Sequence, residues 1–214
     1  MFYWIVKGIF YPAVKIYFRF SVSGLRHIPK KGPLLVVANH TSFLDPILLG
    51  SAFPRQIHFL VRQDMYDWMR LCWFYVGMDT IPVRRVSADP KAIRRALQTL
   101  GRGRVVGIFP EGSRSQDGQL GGGKLGSSFL AAKSGAPVLP VSIAGAHLAM
   151  PAGRRFPRPA TVRVTFGDPL AFPLPTRKRI SRTDLEVFSQ TLQGAIGTLL
   201  AGNEPARPEE EAGE

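Results

Sequence analysis

The sequence predicts an α/β fold, a largely parallel sheet flanked by helices, and two observations carry that reading. From residue 33 to residue 143, short apolar runs alternate with helix-forming stretches, the pattern of strands joined by covering helices. Two polar clusters, 39–46 and 109–115, directly follow apolar runs, and sites in open α/β sheets gather at the carboxyl ends of strands. A chain of 214 residues that is 45% hydrophobic and 20% charged holds one globular domain with appendages.

Taken in order, residues 2–20 form an apolar, aromatic run broken by Lys7, Lys15 and Arg19, too interrupted for a membrane-spanning helix. At about 100° per residue the three cations share one side of a helix and the rings occupy the rest. That is the pattern of a helix lying in a membrane interface, its cations on lipid phosphates. A core-packing helix with a solvated cationic side is the alternative, and Pro12 is a place for a kink. No basic region precedes the run and no A-x-A site follows it, so it reads poorly as a signal peptide.

Residues 21–32 read as a polar connector. Strands are expected at Leu34–Ala38, Ile57–Val61, Thr80–Val83, Val105–Phe109, Pro137–Ile143 and Thr161–Phe166, and a helix at Asp67–Val76. A second helix covers Ala92–Leu100, with Ile93, Ala96, Leu97 and Leu100 on one face and Asp89-Pro90 as cap and first turn. Gly126–Lys133 is a short helix stopped by Gly135. Met150–Pro159 is Pro/Arg-rich and irregular. Ser181–Ala201 is a last helix, opened by a Ser181-x-x-Asp184 capping box. Residues 203–214 form an acidic tail expected to be disordered.

Charge is distributed unevenly. The chain carries a net +13, but residues 1–202 hold 27 Lys and Arg against 10 Asp and Glu, a net +17. Such a body seeks polyanions: anionic lipid, nucleic acid or phosphorylated small molecules. One cysteine, Cys72, excludes a disulfide framework and a four-cysteine zinc site, and no metal-spaced cluster of His, Cys and acid appears.

In the first polar cluster, His40 and Asp45 lie five residues apart. On a regular helix they would not face each other; they meet only if the chain turns between them. If they meet, the carboxylate fixes the imidazole tautomer and frees Nε2 to take a proton from a hydroxyl. Asp45 as a helix start and His40 as a structural histidine are the ordinary alternatives. In the second cluster Gly112 permits a tight turn, Arg114 offers a planar fork for phosphate, and Glu111 is placed to orient a hydroxyl or hold Arg114. Residues 121–126 are glycine-rich and carry Lys124, without the spacing of a nucleotide P-loop. Ser42, Ser113 and Ser115 are not set in a G-x-S-x-G elbow, which argues against a covalent serine intermediate.

Four segments together resemble a known family. Residues 39–46, NHTSFLDP, resemble the HX4D motif of glycerolipid acyltransferases of the 1-acylglycerol-3-phosphate acyltransferase type, and FPEGSRS at 109–115 is similar to their FPEG[ST]R motif. Residues 79–85, DTIPVRR, and 136–141, APVLPV, resemble two further motifs, in family order, over about Ile28 to Gly145. Asp79 stands where the family usually has Gly, and Arg84 where Asp is common.

The resemblance implies a mixed, largely parallel sheet flanked by helices, with an N-terminal membrane-surface helix. With the composition and patterning above, three parts are expected: residues 1–20 as an interfacial anchor, 21–202 as the acyltransferase domain and 203–214 as the tail. The resemblance implies His40 as general base with Asp45 as its partner, and Arg85, Glu111, Gly112, Ser113, Arg114 and Lys124 as acceptor contacts. The expected reaction moves a fatty acyl group from acyl-CoA or acyl-carrier protein, as substrate and not cofactor, to a lysophosphatidic-acid-like acceptor, with no metal. The expected partners are a membrane surface with anionic lipids, the lysophospholipid acceptor and the acyl donor, and no nucleic acid. The expected location is the cytoplasmic face of the membrane, peripheral or monotopic. The competing reading is a basic, non-catalytic lipid- or nucleic-acid-binding module. Against it, the aromatics concentrate at the N-terminus, with no stacking platform and no nucleic-acid-binding motif.

Overall fold

The computed structural model describes residues 1–67, 72–84, 89–112, 121, 123–151, 154, 156–173 and 180–203. Its strands are β1 (Arg19–Ser23), β2 (Leu34–Ala38), β3 (Ile57–Arg62), β4 (Ile81–Val83), β5 (Val105–Ile108), β6 (Val138–Ala144) and β7 (Thr161–Phe166). The helices are α1 (Phe2–Tyr17), α2 (Asp45–Ala52), α3 (Gln63–Asp67), α4 (Cys72–Gly77), α5 (Pro90–Gly101), α6 (Gly126–Ser134), α7 (Ala146–Ala149) and α8 (Arg182–Ala201).

The strands form one sheet in the order β1-β7-β6-β2-β5-β3-β4. All pairings are parallel except β6 with β7, so the sheet is mixed and largely parallel as expected. The central strand β2 is buried on both sides and splits its residues between two cores. Leu34, Val36 and Ala38 join Val14 of α1 and Leu48, Leu49 and Phe53 at α2. Leu35 and Val37 join Ala96 and Leu100 of α5, Leu130 of α6, and Phe188, Leu192 and Ile196 of α8. The period-two alternation of a strand thus feeds both faces of a three-layer domain.

The expected helix signals are present. The Asp89 side chain accepts from the amides of Lys91 and Ala92, with Pro90 in the first turn of α5. Gly135 closes α6 at φ 64°. Ser181 and Asp184 complete a capping box at α8. The far end of α8 is pinned by Asn203, whose Nδ2 donates to Ser142 Oγ and Thr165 Oγ1 at 2.9 and 2.8 Å. The rest of the expected tail, 204–214, lies outside the described residues, as does 68–71 of the helix expected at 67–76, which is described only as α3 and α4.

Two expectations are corrected at the N-terminus. The helix ends at Tyr17, and the chain turns extended at Phe18 (φ −108°, ψ 150°) into β1. Residues 19–23 are therefore an edge strand, where helix and polar connector were expected. Phe20 and Val22 turn toward the core while Ser23 Oγ lies 2.8 Å from Thr165 Oγ1 on β7. The cationic side of α1 is broken up accordingly. Arg19 lies on β1, and Lys7 points into the protein, donating to the carbonyl of Phe53 just past α2. Burial holds the Lys7 ammonium below its usual pKa. Tyr3 and Val14 pack inward, while Trp4, Ile5, Ile9 and Ile16 stay exposed. The helix runs through Pro12 as a single element, and no described helix is long and apolar enough to cross a membrane.

Candidate active site

Strands β2 and β5 are adjacent and parallel, so the loops after both open on the same sheet edge. The first loop turns sharply. Asn39, fully buried, locks it to β6: its Oδ1 accepts from Ile143 N–H at 2.8 Å and its Nδ2 donates to Ile143 O at 3.0 Å. Helix α2 begins only at Asp45, so residues 40–44 are free to curl, and the five-residue spacing closes. Asp45 Oδ2 lies 2.8 Å from His40 Nδ1 and accepts from the backbone amides of Thr41 and Ser42 at 2.7 and 2.8 Å. Asp45 is 0% exposed. These donors converge on it at the first residue of α2.

The His40 side chain is 19% exposed, within reach of the cavity beside it. With Nδ1–H donated to Asp45, the lone pair sits on Nε2, the arrangement that suits an imidazole to accept a proton. The ring is held flat on Phe109, at 4.3 Å between centroids and 22° between planes, and Phe109 lies parallel to Phe59.

The second loop reaches back to the first. Glu111 is 8% exposed, and its Oε1 accepts the backbone N–H of His40 at 3.3 Å. Burial raises its pKa above the ordinary value, and the hydrogen bond from His40 only partly opposes this. The carboxylate braces the two loops against each other. Gly112 has φ 68°, and a Cβ there would sit 2.6 Å from Lys124 Nζ. A side chain at position 112 would strain the turn and displace the lysine. Lys124 is fixed at its own backbone, where its N–H donates to Pro110 O at 2.9 Å.

A cavity of about 870 Å³ runs along this edge. His40, Phe109, Gly112 and Lys124 line one end, with Gly126 and Ser127 from the first turn of α6. From there it extends between α1, α2, β3 and α4, past Ile47, Gly50, Phe59, Val6, Phe10, Phe74 and Met78. Lys124 stands beside His40 at that end, and the rest of the lining is mainly apolar but includes Lys7, Arg62 and Arg84, a mixture that suits an amphiphile.

Of the residues expected at the site, the structure brings together His40, Asp45, Glu111, Gly112 and Lys124. Arg85, Ser113 and Arg114 lie outside the described residues. Sequence reasoning missed Asn39, the Phe109 platform and Ser127. Ser127 is 1% exposed, and its hydroxyl has no partner among the described residues. No group of metal-ligating side chains occurs among the described residues.

The model of the family described as Acyltransferase matches residues 19–144, more than half of the chain, and this chain belongs to that family. Among its relatives, it is 32% identical over 142 residues to the chloroplastic 1-acyl-sn-glycerol-3-phosphate acyltransferase LPAT1 of Arabidopsis thaliana, covering 64% of this chain and 39% of that protein. It is 37% identical over 129 residues to the lyso-ornithine lipid O-acyltransferase of Pseudomonas aeruginosa, covering 59% of this chain and 47% of that protein. The chain thus spans less than half the length of these two relatives. The crystal structure of the 1-acyl-sn-glycerophosphate (LPA) acyltransferase PlsC from Thermotoga maritima superposes with a TM-score of 0.76 at 25% identity, covering 94% of this chain and 80% of that one.

Proposed function

We propose that this protein is a 1-acyl-sn-glycerol-3-phosphate O-acyltransferase. It moves a fatty acyl group from acyl-CoA or acyl-carrier protein to the free hydroxyl of a lysophosphatidic-acid-like acceptor. The observation that carries this reading is the His40–Asp45 pair opening on a cavity that also holds Lys124.

The acceptor phosphate docks at the cationic end, on Lys124 and the amino end of α6, where aligned backbone dipoles favour an anion. By family resemblance Arg85, Ser113 and Arg114 add to this grip, and Glu111 holds the start of the loop on which Ser113 and Arg114 follow in sequence. His40 Nε2 takes the acceptor's hydroxyl proton as that oxygen attacks the thioester carbonyl. The tetrahedral intermediate collapses to the ester, the C–S bond breaks, and the leaving thiolate recovers the proton from His40. A positioned base contributes about 10²–10⁴-fold, and the phosphate grip adds by holding the hydroxyl in place. The acyl chain lies in the apolar length of the cavity. The reaction so proposed calls on no metal or cofactor, the acyl donor entering as substrate, and nucleic acid has no part in it.

In this proposal the protein is a peripheral or monotopic enzyme at the cytoplasmic face of an anionic membrane, a reading supported by the exposure of Trp4, Ile5, Ile9 and Ile16 on α1. Incubating purified protein with acyl-CoA or acyl-carrier protein and a panel of lyso-acceptors, lysophosphatidic and lyso-ornithine lipids included, tests the assignment. Free thiol and acylated product should appear together for lysophosphatidic acid and vanish with His40→Ala. Thiol release without product, or activity that survives His40→Ala, would refute it.

A further inference from the structure

Beyond the cavity, an arginine- and proline-rich stretch after α7 has no part in the reaction. It departs from the site itself, since Ser42 Oγ donates to Met150 O at 3.1 Å. It arrives at the end of α1, where the Tyr17 hydroxyl donates to Pro157 O at 3.0 Å. Between these points Phe156 is 77% exposed, close to the last turn of α1, where Ile16 is 86% exposed. Two exposed arginines flank Phe156 in sequence. Arg154 Nε donates to Phe156 O at 3.2 Å, and Arg158 Nε donates to Leu148 O at 2.8 Å, so each guanidinium is tied to backbone.

The surrounding chain is free of acid. No Asp or Glu occurs at residues 1–44 or 118–167. The next acid, Asp168, follows the far end of β7. An exposed ring between arginines, in acid-free chain, matches the boundary of an anionic bilayer: the ring enters the acyl–headgroup layer and the guanidiniums take the phosphates.

We propose that Arg154, Phe156 and Arg158 form a second contact with an anionic lipid surface, continuous with the end of α1. This rests on the reading of α1 as an interfacial helix and deepens it. A helix alone leaves the domain free to roll about the helix axis. A second contact off that axis fixes the roll, and its tie to Ser42 sets the site's orientation relative to the lipid.

The test is partition of the full chain between buffer and vesicles, either pure phosphatidylcholine or phosphatidylcholine with phosphatidylglycerol. It compares wild type, Phe156→Ser, Arg154→Gln and the α1 double variant Ile5→Ser/Ile9→Ser, each checked for folding by thermal melting. Phe156→Ser should weaken binding to anionic vesicles about tenfold. Arg154→Gln should weaken it roughly fivefold and do so only when phosphatidylglycerol is present. If both loop variants weaken binding and the α1 variant does not, the second contact stands and the anchor reading of α1 falls. If the folded loop variants bind as wild type, the proposal is overturned whatever α1 does. Wild-type vesicle binding combined with lost use of acyl-carrier protein would assign the surface to an acidic protein, and overturns it equally. The vesicle-binding readouts require no acyl transfer, so failure of that activity leaves them interpretable.

Discussion

Glu111 Oε1 and the backbone N–H of His40 meet at 3.3 Å across 71 residues of sequence, so one hydrogen bond joins the loop after β2 to the loop after β5. Because burial raises the Glu111 pKa, the folded protein binds its proton more tightly than the unfolded chain. The stability that proton contributes is full below the unfolded value and is lost as pH rises through the folded one. Glu111→Gln removes the titration. The melting temperature of the variant relative to wild type should therefore climb with pH from about 4 and level off above the raised value. Thermal melts between about pH 4 and pH 8 read this directly, and a pH-independent difference would contradict it.

Asp45 gathers three donors on one oxygen in a site closed to water. Asp45→Ala strands all three and should cost about 3 kcal/mol, measured by denaturant unfolding. Asp45→Asn keeps an oxygen where the Thr41 and Ser42 amides and the imidazole donate, but removes the negative charge that supports the imidazolium formed in the reaction. Turnover should fall roughly 10²-fold or more while the fold survives. Near-normal turnover in the Asn variant would deny the Asp45 charge that supporting role.

The site also leans on a glycine in β5. A Cβ on Gly107 would sit 2.6 Å from Ile57 Cγ2 and 2.7 Å from Phe59 Cδ1. Phe59 lies parallel to Phe109, on which His40 is stacked, so the displacement has a short route to the imidazole. Gly107→Ala should cost about 1–3 kcal/mol and lower kcat, with little change in KM. Lost stability at unchanged kcat would show that the rings relax without moving His40.

Gly50 on α2 lines the apolar length of the cavity, and a Cβ there would meet only ordinary contacts, 3.8 Å from the Tyr3 hydroxyl and 3.9 Å from Phe59. Gly50→Leu should fill part of that volume and improve the helix. The preferred acyl donor should then shorten, read by competing acyl-CoAs of different chain length in one reaction. An unchanged preference would place the acyl chain elsewhere.

The sheet and most of its strands were legible because β2 and β5 are apolar runs, because β6 is one broken only by Pro140 and Ser142, and because Asp89-Pro90, Gly135 and Ser181-x-x-Asp184 mark helix ends in local chemistry. Strand β1 was not. Its residues 19–23, RFSVS, are half polar, and its partner lies on β7, so only tertiary pairing makes it a strand. The direction of Lys7 was equally hidden, since helical spacing gives a face but does not say that Phe53 offers a carbonyl there. The His–Asp pair was legible as a conditional, settled by where α2 begins. The cavity was not legible at all, because its walls come from α1, α2, β3, α4 and the two site loops at once.

The pairing of β1 with β7 links Ser23 to Thr165 across 142 positions. The whole central sheet can assemble before this seam closes, and closing so long a span slows folding. Until then α1 has no seam to hold its carboxyl end, and its greasy residues remain available to any nearby bilayer. A chain stopped short of residue 161 would lack that seam altogether, and α1 would then be held by its contacts at α2, through Lys7 and Tyr3, and no longer at its carboxyl end.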